Sequence, residues 1–338
     1  MVLSEFYNVE NKKIAVLGGG SMATALVKVL SENNETVFWW MRNQEVIEHI
    51  QKYGHNPRYL SNAELNTENI HISQNIDEIC ELADIIILVI PSAFLRDAME
   101  KITVDISEKI IFSSIKGIVP GVNMIVGEYL NAVLNIPLDN IGVIAGPCHA
   151  EEVALERLSY LTLASIDMEH AYVLGSHLSC RYMRIQISDD IYGTEYAAVL
   201  KNIYSIAAGI CHGLGYGDNF QAVLVSNALR EMKRFIKAVH PIKRDIAGSA
   251  YMGDLLVTAY SQFSRNRTLG TMVGKGYSVQ AAMLEMRMVA EGYYATELIR
   301  NIKKAYDVKM PIANAVYKIL YEGKPAAKVI EKLSRKFT

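Results

Sequence analysis

Residues 14–24 read I-A-V-L-G-G-G-S-M-A-T, and the fold turns on how this stretch is read. An apolar run of strand length leads into Gly18-x-Gly20-x-x-Ala23, and a helical texture follows over Ala23–Ser31. Strand, glycine turn and helix in that order form the context in which a glycine fingerprint binds a dinucleotide. Gly18 permits the tight turn, Gly20 lets the backbone approach a pyrophosphate, and Ala23 allows close helix–strand packing. The phosphates then sit at the helix N-terminus, where free N–H groups and the helix dipole favour anions. On these letters alone, a plain strand-to-helix turn remains the competing reading.

The second half of such a fingerprint is an acid about twenty residues downstream that holds the adenosine ribose. Here T-V-F-W-W-M-R-N-Q-E, residues 36–45, places Met41 and Arg42 at that point. A carboxylate there would repel a 2′-phosphate, whereas Arg42 can neutralise one with paired hydrogen bonds. The stretch therefore predicts a dinucleotide with a preference for NADPH. NADH stays usable, because no second basic residue adjoins Arg42. The alternative is an arginine that only ends a strand and faces solvent.

Further apolar runs alternate with amphipathic stretches through the first half. Strands are expected at Lys13–Leu17, Thr36–Trp40, Ile70–Ser73, Asp84–Ile90, Lys109–Ser114, Ile141–Ala145, Leu161–Ala164 and Met183–Ile187. Several are continuous Val/Ile/Leu runs, as parallel strands buried on both faces require. Helices are expected between them, among them Ala23–Ser31 and Val122–Leu134. This alternation predicts a doubly wound α/β sheet. After about Ser188 helical segments take over, at Tyr192–Gly213, Asn219–Val239, Tyr251–Tyr260, Val279–Glu285, Gly292–Tyr306, Ile312–Tyr321 and Ala326–Lys336. The expected division is residues 1–188 for a dinucleotide-binding domain and 189–338 for an all-α substrate and catalytic domain.

The bulk numbers narrow the class. With 338 residues, two domains and a substantial core are expected. Hydrophobic residues make up 51% and charged residues 21%, which argues against disorder, and a net charge of −2 gives no broad drive toward nucleic acid or anionic membrane. Cys80, Cys148, Cys180 and Cys211 include no C-x-x-C pair, and the eight histidines show no ligand spacing. Reduced thiols in a cytoplasmic protein without a metal site are the expectation. The N-terminus lacks an apolar core of signal-peptide length, and the longest apolar run, Ile85–Pro91, is too short to span a bilayer.

Ligands of open α/β sheets bind at the carboxyl ends of the strands. Three such ends carry distinctive residues: Ile90-Pro91-Ser92, Ser113-Ser114-Ile115-Lys116-Gly117, and Ala145-Gly146-Pro147-Cys148-His149-Ala150-Glu151. Lys116 is either a solvated lysine or a group beside the nicotinamide. In the helical half, Tyr196–Cys211 contains one charge, Lys201, with Glu195, Asn202 and Ser205 as polar neighbours. Either Lys201 snorkels to the surface, or it is a proton-transferring lysine whose pKa is lowered by burial and nearby cations. Gly253-Asp254 precedes Ser264-Arg265-Asn266-Arg267. That S-R-N-R is either a solvated loop or a phosphate clamp acting through Arg265 and Asn266.

Together these residues match a known family. The ordered motifs G-G-G-S-M-A-T-A-L, V-I-P-S, S-I-K-G, A-G-P-C-H-A-E-E, L-K-N-I, M-G-D-L-L-V-T, S-R-N-R and V-A-E-G-Y span nearly the whole chain. They closely resemble the bacterial-type NAD(P)-dependent glycerol-3-phosphate dehydrogenases. The resemblance implies a Rossmann-type domain joined to a helical domain, an active site in the cleft between them, and a homodimer. It also implies reversible reduction of dihydroxyacetone phosphate to sn-glycerol 3-phosphate for glycerophospholipid synthesis. By that resemblance Lys201 is the proton donor and acceptor, Lys116 touches substrate and cofactor, and Asp254 stands near Lys201. Asn202, Gly146 and Cys148 contact substrate, and Ser264, Arg265 and Asn266 form its phosphate site. Gly18, Gly20, Ser21, Met22, Arg42, Lys116, Ala150, Arg265, Val289 and Glu291 contact the cofactor.

The chain departs from the family pattern at Met22, Ala23, Cys148 and His149. A thiol at Cys148 is a weaker hydrogen-bonding group than the hydroxyl common there. A 3-hydroxyacid or 6-phosphogluconate type of dehydrogenase shares the Lys-Asn pair and is the first alternative, with S-R-N-R after M-G-D-L favouring the glycerol phosphate enzyme. A non-catalytic dinucleotide sensor is the second, and it has no need of Lys116, Lys201, Asp254 and Arg265.

Overall fold

The computed structural model describes residues 12–34, 36–286 and 290–337. They divide into two compact units. The first takes the described residues up to Ile115 together with Val119–Ile191, and the second takes Lys116–Ile118 and the described residues from Tyr192 on.

In the first unit the apolar runs form β1 (Ile14–Leu17), β2 (Val37–Trp40), β3 (Ile70–Ser73), β4 (Ile85–Leu88) and β5 (Ile110–Ser113). A small two-stranded pair, β6 (Ile118–Val119) and β7 (Met124–Ile125), comes next, followed by β8 (Ile141–Ala145), β9 (Ser159–Ser165) and β10 (Met183–Ser188). Eight of these strands make one sheet in the order β10-β9-β8-β5-β4-β1-β2-β3. Its strand pairs are all parallel except β8 with β9. The order 3-2-1-4-5 from one edge is that of a dinucleotide-binding sheet, in which β1 and β4 flank the reversal of strand order.

Strand periodicity divides the core in two. Ile14, Val16, Val37, Trp39, Ile85 and Ile87 face one layer, built on α1 (Ser21–Asn33), α2 (Gln44–Tyr53), α6 (Ala150–Ala154) and α7 (Met168–Leu178). Ala15, Leu17, Phe38, Trp40, Ile86 and Leu88 face the other, built on α3 (Ile76–Leu82), α4 (Leu95–Met99) and α5 (Val126–Ala132). Both faces are dry, which is why these strands read as unbroken apolar runs.

The second unit is helical: α8 (Ile191–Gly213), α9 (Asp218–Val239), α10 (Asp254–Tyr260), α11 (Arg265–Gly274), α12 (Val279–Met286), α13 (Glu291–Ala305), α14 (Pro311–Leu320) and α15 (Ala326–Ser334). A π-helical turn, Ser249–Gly253, leads into α10, where a helix was expected to run unbroken from Tyr251. Two further expectations need correcting. Val122–Leu134 is not one helix, because Gly121 at φ +85° and Asn123 at φ +57° turn the chain into β7 before α5 begins. S-R-N-R is not a loop either: Ser264 caps α11 by accepting from the Arg267 N–H, and Arg265 opens that helix.

Among the described residues no helix is long and apolar enough to cross a membrane. No group of three or more His, Cys, Asp and Glu there could hold a metal ion.

Candidate active site

The glycine turn after β1 separates two different demands for glycine. Gly18 sits at φ +139°, and a Cβ on it would lie 2.3 Å from the Val89 carbonyl oxygen, so no other residue fits. Gly20 has ordinary extended backbone, and a Cβ on it would meet nothing within 4 Å among the described residues. The protein itself leaves that space open, as close approach of a phosphate requires. Gly20 is also the N-cap of α1 and offers no side-chain cap, so the first-turn N–H groups at half-buried Ser21 and Met22 remain available to an anion.

Arg42 is exposed just past the end of β2. Its guanidinium lies 5.6 Å from the centre of the Phe94 ring, and its carbonyl accepts a hydrogen bond from Gln74 Nε2 at 2.7 Å. It forms no ion pair among the described residues. Past β8, Gly146 adopts φ +111°, and a Cβ on it would come within 2.8 Å of the Tyr160 carbonyl oxygen. Cys148 is buried on this turn, and Ala150 is buried at the first position of α6.

The second unit brings most of its sequence-marked residues together around α8. Lys201 is only 3% exposed, so it does not snorkel, and its ammonium donates to Asp254 Oδ1. Asn202 Nδ2 donates to the Lys116 carbonyl at 2.8 Å, joining the segment after β5 to the same helix. Ser205 Oγ donates to the Thr258 carbonyl at 2.9 Å and shares a hydrogen bond with Ser264 Oγ at 2.8 Å. Asn266 Oδ1 accepts the Gly292 N–H at 2.9 Å, which fixes the start of α13 and leaves the Asn266 amide free to donate. Arg265, half-buried in the first turn of α11, has no hydrogen-bond or ion-pair partner among the described residues. Glu291 opens α13, and Val289 lies outside the described residues.

Glycine sets this geometry too. A Cβ on Gly209 would sit 2.1 Å from the Arg267 carbonyl oxygen, and one on Gly270 would sit 2.1 Å from the Ile206 carbonyl oxygen. By the same measure Gly213 and Gly274 approach the facing helix nearly as closely, at 2.3 and 2.4 Å. Helices α8 and α11 therefore cross backbone to backbone, which holds the Lys201 and Arg265 helices in one register.

Lys201 is the electrostatic centre of the cluster. Burial drives its pKa down, Asp254 opposes that, and the neighbouring Lys116 pushes it down again, to about 7. Such a lysine can give or take a proton near neutral pH. Asp254 Oδ2 and Thr258 Oγ1, one helical turn apart on α10, are buried and have no hydrogen-bond partner among the described residues. A ligand hydroxyl donating to Asp254 Oδ2, or a ligand oxygen accepting from Thr258 Oγ1, would answer an unmet need, since buried polar groups are rarely left unsatisfied. The sequence marked Thr258 only as the last letter of M-G-D-L-L-V-T. Its i, i+4 spacing from Asp254 is the signal that could have singled it out.

Comparison with known proteins gives this geometry a lineage. Residues 13–171 match the model of the NAD-dependent glycerol-3-phosphate dehydrogenase N-terminus, and residues 190–331 match that of the C-terminus. The glycerol-3-phosphate dehydrogenase [NAD(P)+] of Staphylococcus carnosus is 35% identical over 316 residues, covering 93% of this chain and 95% of that protein. That of Ectopseudomonas mendocina is 35% identical over 326 residues, 96% of this chain and 95% of the relative. The crystal structure of glycerol-3-phosphate dehydrogenase from Coxiella burnetii superimposes with a TM-score of 0.86 at 28% identity, over 95% of this chain and 98% of that one. The chain belongs to the NAD-dependent glycerol-3-phosphate dehydrogenase family.

Proposed function

We propose that this protein reversibly reduces dihydroxyacetone phosphate to sn-glycerol 3-phosphate with NAD(P)H, supplying glycerophospholipid synthesis. The observation that carries the mechanism is Lys201: a buried lysine with a pKa of about 7, paired with Asp254. A dinucleotide held at the glycine turn of Gly18–Gly20 would supply the hydride. Negative charge then develops on the substrate oxygen, and Lys201 supplies the proton that quenches it. In the reverse direction the neutral amine takes the proton back. Asp254 holds the Lys201 ammonium in place, and Asn202 fixes the backbone of Lys116, which is assigned to both substrate and cofactor.

The substrate phosphate is assigned to Ser264, Arg265 and Asn266. The uncommitted Arg265 guanidinium, the Asn266 amide and the N-terminus of α11 all favour an anion there. Gly146 and Cys148 are assigned to substrate. Gly18, Gly20, Ser21, Met22, Arg42, Lys116, Ala150, Arg265, Val289 and Glu291 are assigned to the dinucleotide. The reading extends to a cytoplasmic homodimer that acts on a small molecule rather than on nucleic acid or membrane.

NADPH is the preferred cofactor in this reading, because Arg42 is exposed, unpaired with any described carboxylate, and positioned after β2 where the adenosine ribose is recognised. An absorbance assay with dihydroxyacetone phosphate, run in parallel with NADPH and NADH, tests both parts. Turnover of hydroxyacids in place of dihydroxyacetone phosphate would refute the substrate. Arg42→Asp is expected to raise KM for NADPH much more than KM for NADH, and equal losses would remove the 2′-phosphate role.

A further inference from the structure

Gly18, Gly19 and Gly20 present three successive carbonyl oxygens: the first two are held by side chains from elsewhere in the first unit, and the third by Thr24 in the first turn of α1. The Trp39 indole Nε1 donates to the Gly18 carbonyl at 2.6 Å. Asn56 Nδ2 donates to the Gly19 carbonyl at 3.3 Å and to Thr24 Oγ1 at 2.9 Å. Thr24 in turn bonds the Gly20 carbonyl, through its hydroxyl at 3.0 Å and its backbone N–H at 2.9 Å. One amide group thus touches the second carbonyl directly and the third through a hydroxyl.

Asn56 is itself fixed from its other side. It is fully buried, follows Gly54 in the left-handed cap of α2, and precedes Pro57, which restricts it to extended backbone. Its Oδ1 accepts from the Arg58 N–H at 3.0 Å and the Tyr59 N–H at 3.2 Å. Both amide hydrogens and the carbonyl oxygen of the side chain are used. An asparagine so fully committed at the glycine turn specifies the orientation of the peptides it grips.

That orientation bears on anion binding. A peptide presents either its N–H or its C=O to a ligand, and a carbonyl oxygen turned toward a pyrophosphate repels it. We infer that Asn56, assisted by Trp39, is a positioning residue for the dinucleotide pyrophosphate: by anchoring the carbonyls of Gly18 and Gly19, and through Thr24 that of Gly20, it keeps the N–H groups of the turn available to the phosphates. This rests on the reading of the glycine turn as the dinucleotide site.

Asn56→Asp tests it, because the aspartate keeps the oxygen that accepts from Arg58 and Tyr59 but loses both donors to the turn. The full-length variant is titrated with NADPH and with adenosine 2′-monophosphate, which carries no pyrophosphate, beside the unaltered protein. The expected result is a loss of about tenfold or more in NADPH affinity, the cost of orphaning a buried carbonyl, with adenosine 2′-monophosphate binding changed less than about twofold. KM for NADPH is expected to rise while kcat at saturation holds. Trp39→Phe, which removes only the donor to Gly18, is expected to show a smaller split in the same direction and replaces Asn56→Asp if that variant does not fold. Equal losses for both ligands, or no loss in either variant, would overturn the inference alone. An unaltered protein that fails to bind NADPH would instead overturn the dinucleotide reading, and the inference with it.

Discussion

Two buried lysines, Lys28 in the first unit and Lys201 in the second, show how differently one side chain can be used. Both lie in apolar helical stretches, A-T-A-L-V-K-V-L and Y-A-A-V-L-K-N-I, and both are nearly sealed from solvent, at 5% and 3% exposure. Lys28 is gripped by two carboxylates, Glu32 one turn along α1 and Glu156 at 3.2 Å, and its ammonium lies 5.7 Å from the centre of the Tyr182 ring. Burial works against its charge, but the two carboxylates outweigh it and hold its pKa above the ordinary lysine value. Lys201 has the single carboxylate of Asp254 and a second lysine, Lys116, beside it. Burial and the neighbouring cation win, and its pKa falls to about 7. Burial alone does not make a lysine reactive; the balance of charge around it does.

The largest effect that separates the two is on turnover. Lys201→Met is expected to lower kcat by on the order of 10²–10⁴ while leaving NADPH affinity within about twofold, since it deletes the acid and base of the reaction but not the dinucleotide site. Lys28→Met is expected to keep kcat within about twofold. Steady-state kinetics with dihydroxyacetone phosphate, alongside NADPH titration, checks both. A fully active Lys201→Met enzyme would mean that Lys201, like Lys28, has no part in proton transfer.

The second effect is on pH dependence. Reduction uses the protonated form of Lys201, so kcat/KM for dihydroxyacetone phosphate is expected to fall as pH rises through about 7. Oxidation of glycerol 3-phosphate uses the neutral amine, so its kcat/KM is expected to rise over the same interval. Lys116 lowers the Lys201 pKa, so Lys116→Met should move both limbs to higher pH, whatever it does to the absolute rate. Limbs that stay put would mean that Lys116 does not tune Lys201. Lys28→Met is expected to leave the profile unmoved.

Much of this could be read from the letters. The central strands were legible because both of their faces are buried, so Ile85-Ile86-Ile87-Leu88 and its neighbours carry no polar alternation, whereas the edge strands β3 and β10 are partly exposed and alternate. Lys201 was legible as the only charge between Tyr196 and Cys211. Lys28 offered the same signal, and the residue that sets its role, Glu156, lies 128 positions away in sequence. Local pattern carries no trace of such a partner. Helix α11 was hidden for a related reason. Gly270 and Gly274 weaken its helical signal, and what holds it is backbone contact with Gly209 and Gly213 on α8, far off in the chain. Asn56 was missed because a polar residue before proline reads as an ordinary turn, and only the fold brings Gly19 and Thr24 to its amide.

The smallest expected effect is also the one that probes Lys28 for what it does. Removing it leaves Glu32 and Glu156 without their shared cation, although Tyr182 still donates to Glu32 at 2.6 Å and Arg181 still pairs with Glu156. Both carboxylates are about one-third exposed, at 34% and 32%, so water takes up part of the loss. Lys28→Met is therefore expected to cost about 1 kcal/mol of stability near neutral pH, well short of the ~3–5 kcal/mol typical when a fully buried pair is broken. The sign of its pH dependence follows from a folded pKa that is raised. The Lys28 contribution is fully present below the unfolded lysine pKa and disappears as pH rises through the folded value. Thermal unfolding of the two proteins should accordingly show a gap in Tm at neutral pH that closes in strong alkali. A gap that widened there would mean that Lys28 is held by its packing rather than by its charge.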